Sequence, residues 1–168
     1  MSNRPTKFMR ETLTIKTSHV LPPDTNHHGT LFGGKLMAYI DDTASIAATK
    51  FARNPVVTAS TDSVDFIKPI RVGDAVTLEA MVTYTGRSSM EVFVKITAEN
   101  LLTGEKSIAA LSFLTFVALG PDGKPTEIPM VVPETDQEKW LNETATRRAE
   151  HRKIRKKESE ELAHFFSE

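Results

Sequence analysis

At 168 residues, with 39% hydrophobic content and a formal net charge of −1, the chain can fill one packed domain plus a short appendage and is too short for two full domains. A charge so near neutral gives no bulk attraction to nucleic acid or to an anionic membrane, and neither partner is expected. The lack of cysteine excludes disulfides, thiolate nucleophiles and cysteine-held metals, and no apolar run reaches the ~20 residues that span a bilayer, so a cytoplasmic protein held together by packing is expected.

Residues 11–20 alternate, with Leu13 and Ile15 on one side and Thr12, Thr14 and Lys16 on the other, which predicts a strand with one buried face. Pro22 and Pro23 stop it. Residues 35–51 contain neither Pro nor Gly, and Leu36, Ile40, Thr43 or Ala44, Ala47 and Phe51 recur at three- and four-residue steps. That is a core helix, and its small residues, among them Ala38, Ala44, Ser45 and Ala48, let another backbone lie close. Asn54-Pro55 ends it. Strands are predicted over 56–67, 75–85, 89–99 and 107–119, each a β-branched or alternating run closed by turn residues such as Val72-Gly73-Asp74, Gly86 and Thr103-Gly104. One helix followed by antiparallel strands predicts an α+β domain, with the helix packed on one curved sheet. Residues 134–168 lack Gly and Pro and are crowded with charge of both signs. They read as an exposed helical appendage with Trp140 as its main anchor, and Leu141, Ile154, Leu162, Phe165 and Phe166 as weaker ones. The division expected is a domain over 1–132 and a charged helical extension over 133–168.

Candidate chemistry gathers between Asn26 and Asp42. On a helix, Asp41 shares a stripe with Met37, Ala44, Ser45 and Ala48, whereas Asp42 lies nearer Lys35, Ala38, Ile46 and Thr49. Asp41 is thus expected in the drier surroundings, which suits a general base or a carboxylate nucleophile; two ordinary surface charges are the alternative. Gly33-Gly34 at the helix entrance leaves backbone N–H groups unobstructed for an oxyanion, or simply makes a tight turn. Asn26 can donate to a carbonyl or close a turn. Eight residues of helix at ~1.5 Å each put Asp41 roughly 12 Å from Gly33, so a site using both draws most simply on two subunits across a twofold axis. The pair His27-His28 lacks a carboxylate or thiol neighbour, which argues against a metal site.

The ordered succession Asn26-x-x-Gly29-x-x-Phe32-Gly33-Gly34, Asp41, Val57-Thr58, Asp65-Phe66-Ile67-Lys68-Pro69-Ile70, Val72-Gly73-Asp74 and Gly86-Arg87-Ser88-Ser89 closely resembles the hotdog-fold acyl-CoA thioesterases, over most of residues 10–130. Their cytosolic acyl-CoA hydrolase branch is the most similar. The resemblance implies a sheet wrapped around a long central helix, with two such units paired into a continuous sheet. It implies hydrolysis of acyl-CoA to free fatty acid and CoA, a part of fatty acid metabolism, with no cofactor because coenzyme A belongs to substrate and product. By position it makes Asp41 the catalytic carboxylate, Asn26 of the partner subunit the group that orients thioester or water, Thr58 the family hydroxyl, and Gly34 an oxyanion donor. Arg87, Ser88, Ser89 and Lys68 become candidates for the CoA phosphates. A homodimer with shared active sites, assembled as a hexamer from three dimers, is implied as well. Two other readings are a non-catalytic acyl-CoA sensor and a hotdog hydratase or dehydratase, the latter needing a His and carboxylate pair that the sequence does not offer. The basic run from Arg147 to Lys157 could touch nucleic acid or the CoA phosphates of a neighbouring subunit, but its interspersed acids favour a solvated helix bracing the oligomer.

Overall fold

The long apolar repeat forms the centre of the molecule. In the computed structural model, which describes residues 3–167, helix α1 spans Gly33–Ala52 and buries Leu36, Ile40, Thr43, Ala44, Ala47, Ala48 and Phe51. All but Ala48 are positions the three- and four-residue spacing selects. The helix takes Gly33 and Gly34 into its first turn and stops where Arg53 adopts a left-handed φ of 51° and donates its N–H to Thr49 O at 2.8 Å.

Strands β2 (Thr14–His19), β3 (Val56–Phe66), β4 (Asp74–Thr85), β5 (Ser89–Asn100) and β6 (Lys106–Ala118) make one antiparallel sheet in the order β2-β4-β5-β6-β3. The last four begin and end within a residue of the sequence expectation, because turn residues bound each run. The sheet wraps around α1 and seals its apolar stripe with Val76, Leu78, Val92, Val94, Leu114 and Phe116, all fully buried. Each large side chain buried in this way contributes ~1.5–3 kcal/mol. This is the α+β architecture expected, with β3 left as an open edge.

The first predicted strand differs. It opens with a 3-10 turn over Met9–Thr12, and its inward face is the threonine face: Thr12 is 1% exposed and Thr14 8%, against 58% for Ile15. The hydroxyls are satisfied inside, since Thr12 Oγ1 donates to Met9 O at 2.7 Å and accepts from Val82 N at 3.0 Å, and Thr14 Oγ1 donates to Thr12 O at 3.0 Å. A second, two-stranded parallel sheet pairs β1 (Thr6–Phe8) with β7 (Met130–Val132), an arrangement the sequence does not announce.

Helix α2 (Asp136–Phe165) starts at a capping box formed by Thr135 and Glu138 and crosses the face of the sheet opposite α1. Trp140 does not anchor it, being 59% exposed; Leu141 and Ala145 are buried instead, and ion pairs do the rest. Glu91, 1% exposed, accepts two hydrogen bonds of 2.9 Å from Arg148 and one of 2.8 Å from Thr83 Oγ1, while the Arg148 guanidinium lies 4.2 Å from the centre of the Phe113 ring. Asp62 receives Arg152 at 3.4 Å and also Arg155. Past this point the helix leaves the sheet, and Ile154, Leu162, Phe165 and Phe166 are exposed. No helix among the described residues is long and apolar enough to cross a membrane.

Candidate active site

Asp41 projects from the middle of α1 toward β3, where Thr58 Oγ1 donates a hydrogen bond to Asp41 Oδ1 at 2.8 Å. Strand register explains why Thr58 faces the helix. Thr58 lies opposite the buried, α1-facing Phe116, and a bulge then makes Ala59 an extra residue, so that Ser60 lies opposite Thr115 on the outer face. Without that bulge every side chain beyond it would change faces. Asp41 is exposed in the single chain, as is Asp42, so the drier surroundings expected for Asp41 are absent. The reason is position: its stripe runs beside the open β3 edge, where nothing of the same chain covers it. Bonding separates the two carboxylates. Asp41 holds the Thr58 hydroxyl, and Asp42 meets Lys16 in a 3.7 Å surface ion pair.

Asn26 sits in the loop before α1. Its Oδ1 accepts from His28 N at 2.9 Å and Thr30 N at 3.3 Å, and its side chain also bonds the Thr30 hydroxyl at 2.9 Å through Nδ2. This turn, helped by the positive φ of Gly29, aims the loop at a cavity of about 390 Å³ that Asn26 lines together with Gly33, Leu36, Phe66 and Ile67. Among the described residues no acceptor meets the N–H of Gly33 or Gly34, which start the helix. A side chain at Gly34 would place its Cβ 2.6 Å from the Phe32 ring, so glycine there keeps the ring close over the helix entrance.

Asp41 with Thr58 and Asn26 with the glycines are therefore two separate groups. Phe66, at the far end of β3, reaches within 3.7 Å of a Cβ placed on Gly33, whereas Thr58 stands near the start of that strand. Roughly 25 Å of strand separates them. The candidates for the CoA phosphates divide in the same way. Lys68 lines the Asn26 cavity. Arg87, Ser88 and Ser89 form the β4–β5 turn, and Ser89 is in register with Val117, itself paired with Val57 beside Thr58. Sequence reasoning missed Asp62 and Glu91, and it took Arg148, Arg152 and Arg155 for part of a solvated basic run, whereas together they make the charged seam under α2. The signal was present, because positions 148, 152 and 155 make one stripe of a helix and Glu91 stands in an otherwise alternating strand. The rings of His27 and His28 meet at a 42° tilt with centres 3.8 Å apart, and among the described residues no group of three or more His, Asp or Glu is placed to hold a metal.

Comparison with known proteins agrees with this fold. A model described as the thioesterase superfamily matches residues 28–105. A Bacillus subtilis protein called uncharacterized acyl-CoA thioester hydrolase YkhA is 58% identical over 163 residues, covering 97% of this chain and 95% of that protein. The acyl-CoA hydrolase of Staphylococcus aureus, solved in complex with butyryl coenzyme A, coenzyme A and coenzyme A disulfide, superposes with a TM-score of 0.94 at 51% identity, covering 98% of this chain and 100% of that one. Variants of that enzyme with an aspartate, a threonine or an asparagine changed to alanine superpose at 0.94, 0.93 and 0.95. A hexameric acyl-CoA thioesterase superposes at 0.88 with 54% identity, covering 90% of this chain and 97% of that one. The chain belongs to the thioesterase superfamily, in its acyl-CoA hydrolase branch.

Proposed function

We propose that the protein hydrolyses acyl-CoA to a free fatty acid and coenzyme A at a site that two subunits complete, with Asp41 and Thr58 from one and Asn26 and Gly34 from the other. The observation that carries this reading is the 2.8 Å Thr58–Asp41 hydrogen bond at the opposite end of β3 from the Asn26 cavity. An 11-residue edge strand with unpaired backbone groups is a template for pairing with a second copy. Antiparallel pairing about its midpoint sets the Thr58 end of one strand against the Phe66 end of the other, and so brings the partner's Asn26 cavity to Asp41. The residues altered in the S. aureus hydrolase support the same assignment, being of the same three types and spaced along that chain as Asn26, Asp41 and Thr58 are spaced in this one.

Each group has a distinct task. The Thr58 hydroxyl fixes one carboxylate oxygen of Asp41, leaving Oδ2 to take a proton from water as its oxygen bonds to the thioester carbon. Asn26 has its Oδ1 occupied within its own loop, which leaves an amide N–H of Nδ2 to polarise the carbonyl. The N–H groups of Gly33 and Gly34, at the positive end of the α1 dipole, stabilise the oxyanion. Collapse of the tetrahedral species breaks the C–S bond, and the CoA thiolate recovers the proton from Asp41. The cavity walls Leu36, Phe66 and Ile67 suit the acyl chain, and Lys68 stands at their edge. We read the assembly as a hexamer of three such dimers; a relative at 54% identity is itself a hexameric acyl-CoA thioesterase.

Following thiol release from acyl-CoAs of graded chain length tests the activity directly. Turnover is expected for at least one length, and an enzyme inert toward all of them would contradict the reading.

A further inference from the structure

Helix α2 crosses the sheet strand by strand and does not stop at its edge. Asn142 donates to Thr83 O on β4, Arg148 meets Glu91 on β5, and Arg152 and Arg155 meet Asp62 on β3. From Arg148 to Arg155 the helix rises ~10 Å, which matches the ~10 Å that two strand spacings put between β5 and β3. The helix then continues to Phe165, and so overhangs the open β3 edge by roughly 15 Å, a reach of about three further strands.

The overhang keeps the pattern of a packed helix where its own chain offers nothing to pack against. Leu162, Ala163 and Phe166 continue the sheet-facing stripe that carries Ala145, Arg148 and Arg152, yet Leu162 is 58% exposed and Phe166 76%. Charge also divides along the helix. From Arg147 to Lys157 there are seven Lys and Arg against Glu150 alone, whereas from Glu158 to Phe165 there are three Glu and no Lys or Arg. Among the described residues neither Lys153 nor Glu160 has an ion-pair partner. A helix divided in this way is complementary to a second copy of itself laid antiparallel.

The β3 pairing proposed above, on which this contact rests, supplies that arrangement. Asp62 lies one residue past Thr61, the midpoint of the strand. Rotation about the midpoint brings the partner's helix across on the Ser60 side, antiparallel and roughly 7 Å away along the strand, so that a slight splay gives the ~8–10 Å at which helices pack. Lys153 stands on that side, lining a cavity with Ala59 and Ser60. The twofold axis falls half a strand spacing beyond β3, about two residues of helix past the Asp62 contacts and so close to Lys156. Lys153 and Glu160 share one stripe and flank that point, which sets each opposite the other's copy. We propose that the end of α2 straps the partner subunit: Lys153 of each chain pairs with the partner's Glu160, and Leu162, Ala163 and Phe166 cover the outer face of the partner's sheet. The strap holds the two half-sites together from the face of the sheet opposite α1.

Because the chain has no cysteine, thiols can be introduced in chosen pairs. In full-length Lys153→Cys/Glu160→Cys the two thiols lie ~10 Å apart along one helix, too far to bridge within a chain, and face each other between chains. Mild oxidation at low protein concentration is expected to turn most of this variant into a covalent dimer on a non-reducing gel. The matched pair His151→Cys/Glu158→Cys, with the same spacing on the opposite side of the helix, is expected to stay uncrosslinked. Charge reversal gives a second readout. Glu160→Lys sets like charges together at both contacts and should weaken subunit association ~10-fold, and Lys153→Glu/Glu160→Lys, which makes the charges opposite again, should recover it. If native mass spectrometry finds a wild-type dimer, yet Lys153→Cys/Glu160→Cys does not cross-link and charge reversal changes nothing, the strap is overturned and the shared-site reading stands. A wild-type chain that stays monomeric overturns both.

Discussion

The two ends of β3 are built in opposite ways. At its start, Asp41 and Thr58 stand on regular elements, a helix locked by Leu36, Ile40 and Phe51 and a strand whose bulge sets the side-chain direction. At its finish, Asn26 stands in a loop held by its own hydrogen bonds to His28 and Thr30, beside a helix entrance with free N–H groups. One end has a carboxylate and nothing to polarise a carbonyl. The other has donors and a cavity but no base. On the proposed reading neither end is an active site by itself, and the open edge between them is the surface through which a second copy would join them.

The widest break in this comparison comes from Asp41→Asn, which keeps the shape and removes the base. It is expected to lower kcat by ~10²–10⁴-fold with KM little changed, measured by thiol release. Arg148→Ala separates loss of activity from loss of fold. It leaves Glu91 buried without its partner and should cost ~3–5 kcal/mol of stability, seen as a lower Tm, while kcat below the transition stays near wild type because neither half-site contains Arg148. Asn26→Ala removes a donor from the other half-site and should lower kcat by ~10²-fold. Thr58→Ala removes one hydrogen bond to a carboxylate that stays in place; about a tenfold loss is expected, with most of it restored in Thr58→Ser. A Thr58→Ala enzyme as impaired as Asp41→Asn would mean that the hydroxyl does more than orient the carboxylate.

Local signals made most of the fold legible. The spacing of Leu36, Ile40, Ala44 and Ala47 marks α1, and Gly and Pro turns mark the four long strands, because both depend on neighbours in sequence. Long-range choices were not legible. Pairing of Thr6 with Met130 has no local trace, and the inward turn of Thr12 and Thr14 depends on acceptors and donors supplied by Met9 and Val82. Trp140 misled because hydrophobicity suggests an anchor, whereas α2 is held by Arg148, Arg152 and Arg155 on two carboxylates across the sheet. In the candidate site, the Thr58 hydroxyl meets Asp41 because the β3 register turns it toward α1. The expectation of a dry Asp41 failed in the single chain because the stripe beside an edge strand has no cover from its own chain.

Mixing the Asn26→Ala and Asp41→Asn proteins tests the shared site most directly. With random exchange of subunits, half the dimers are mixed and each mixed dimer holds one intact site, so activity should return to about a quarter of wild type. If mass spectrometry of tagged subunits shows that mixed dimers form while activity stays at the level of the two parents, Asn26 and Asp41 do not complete one site across the β3 edge.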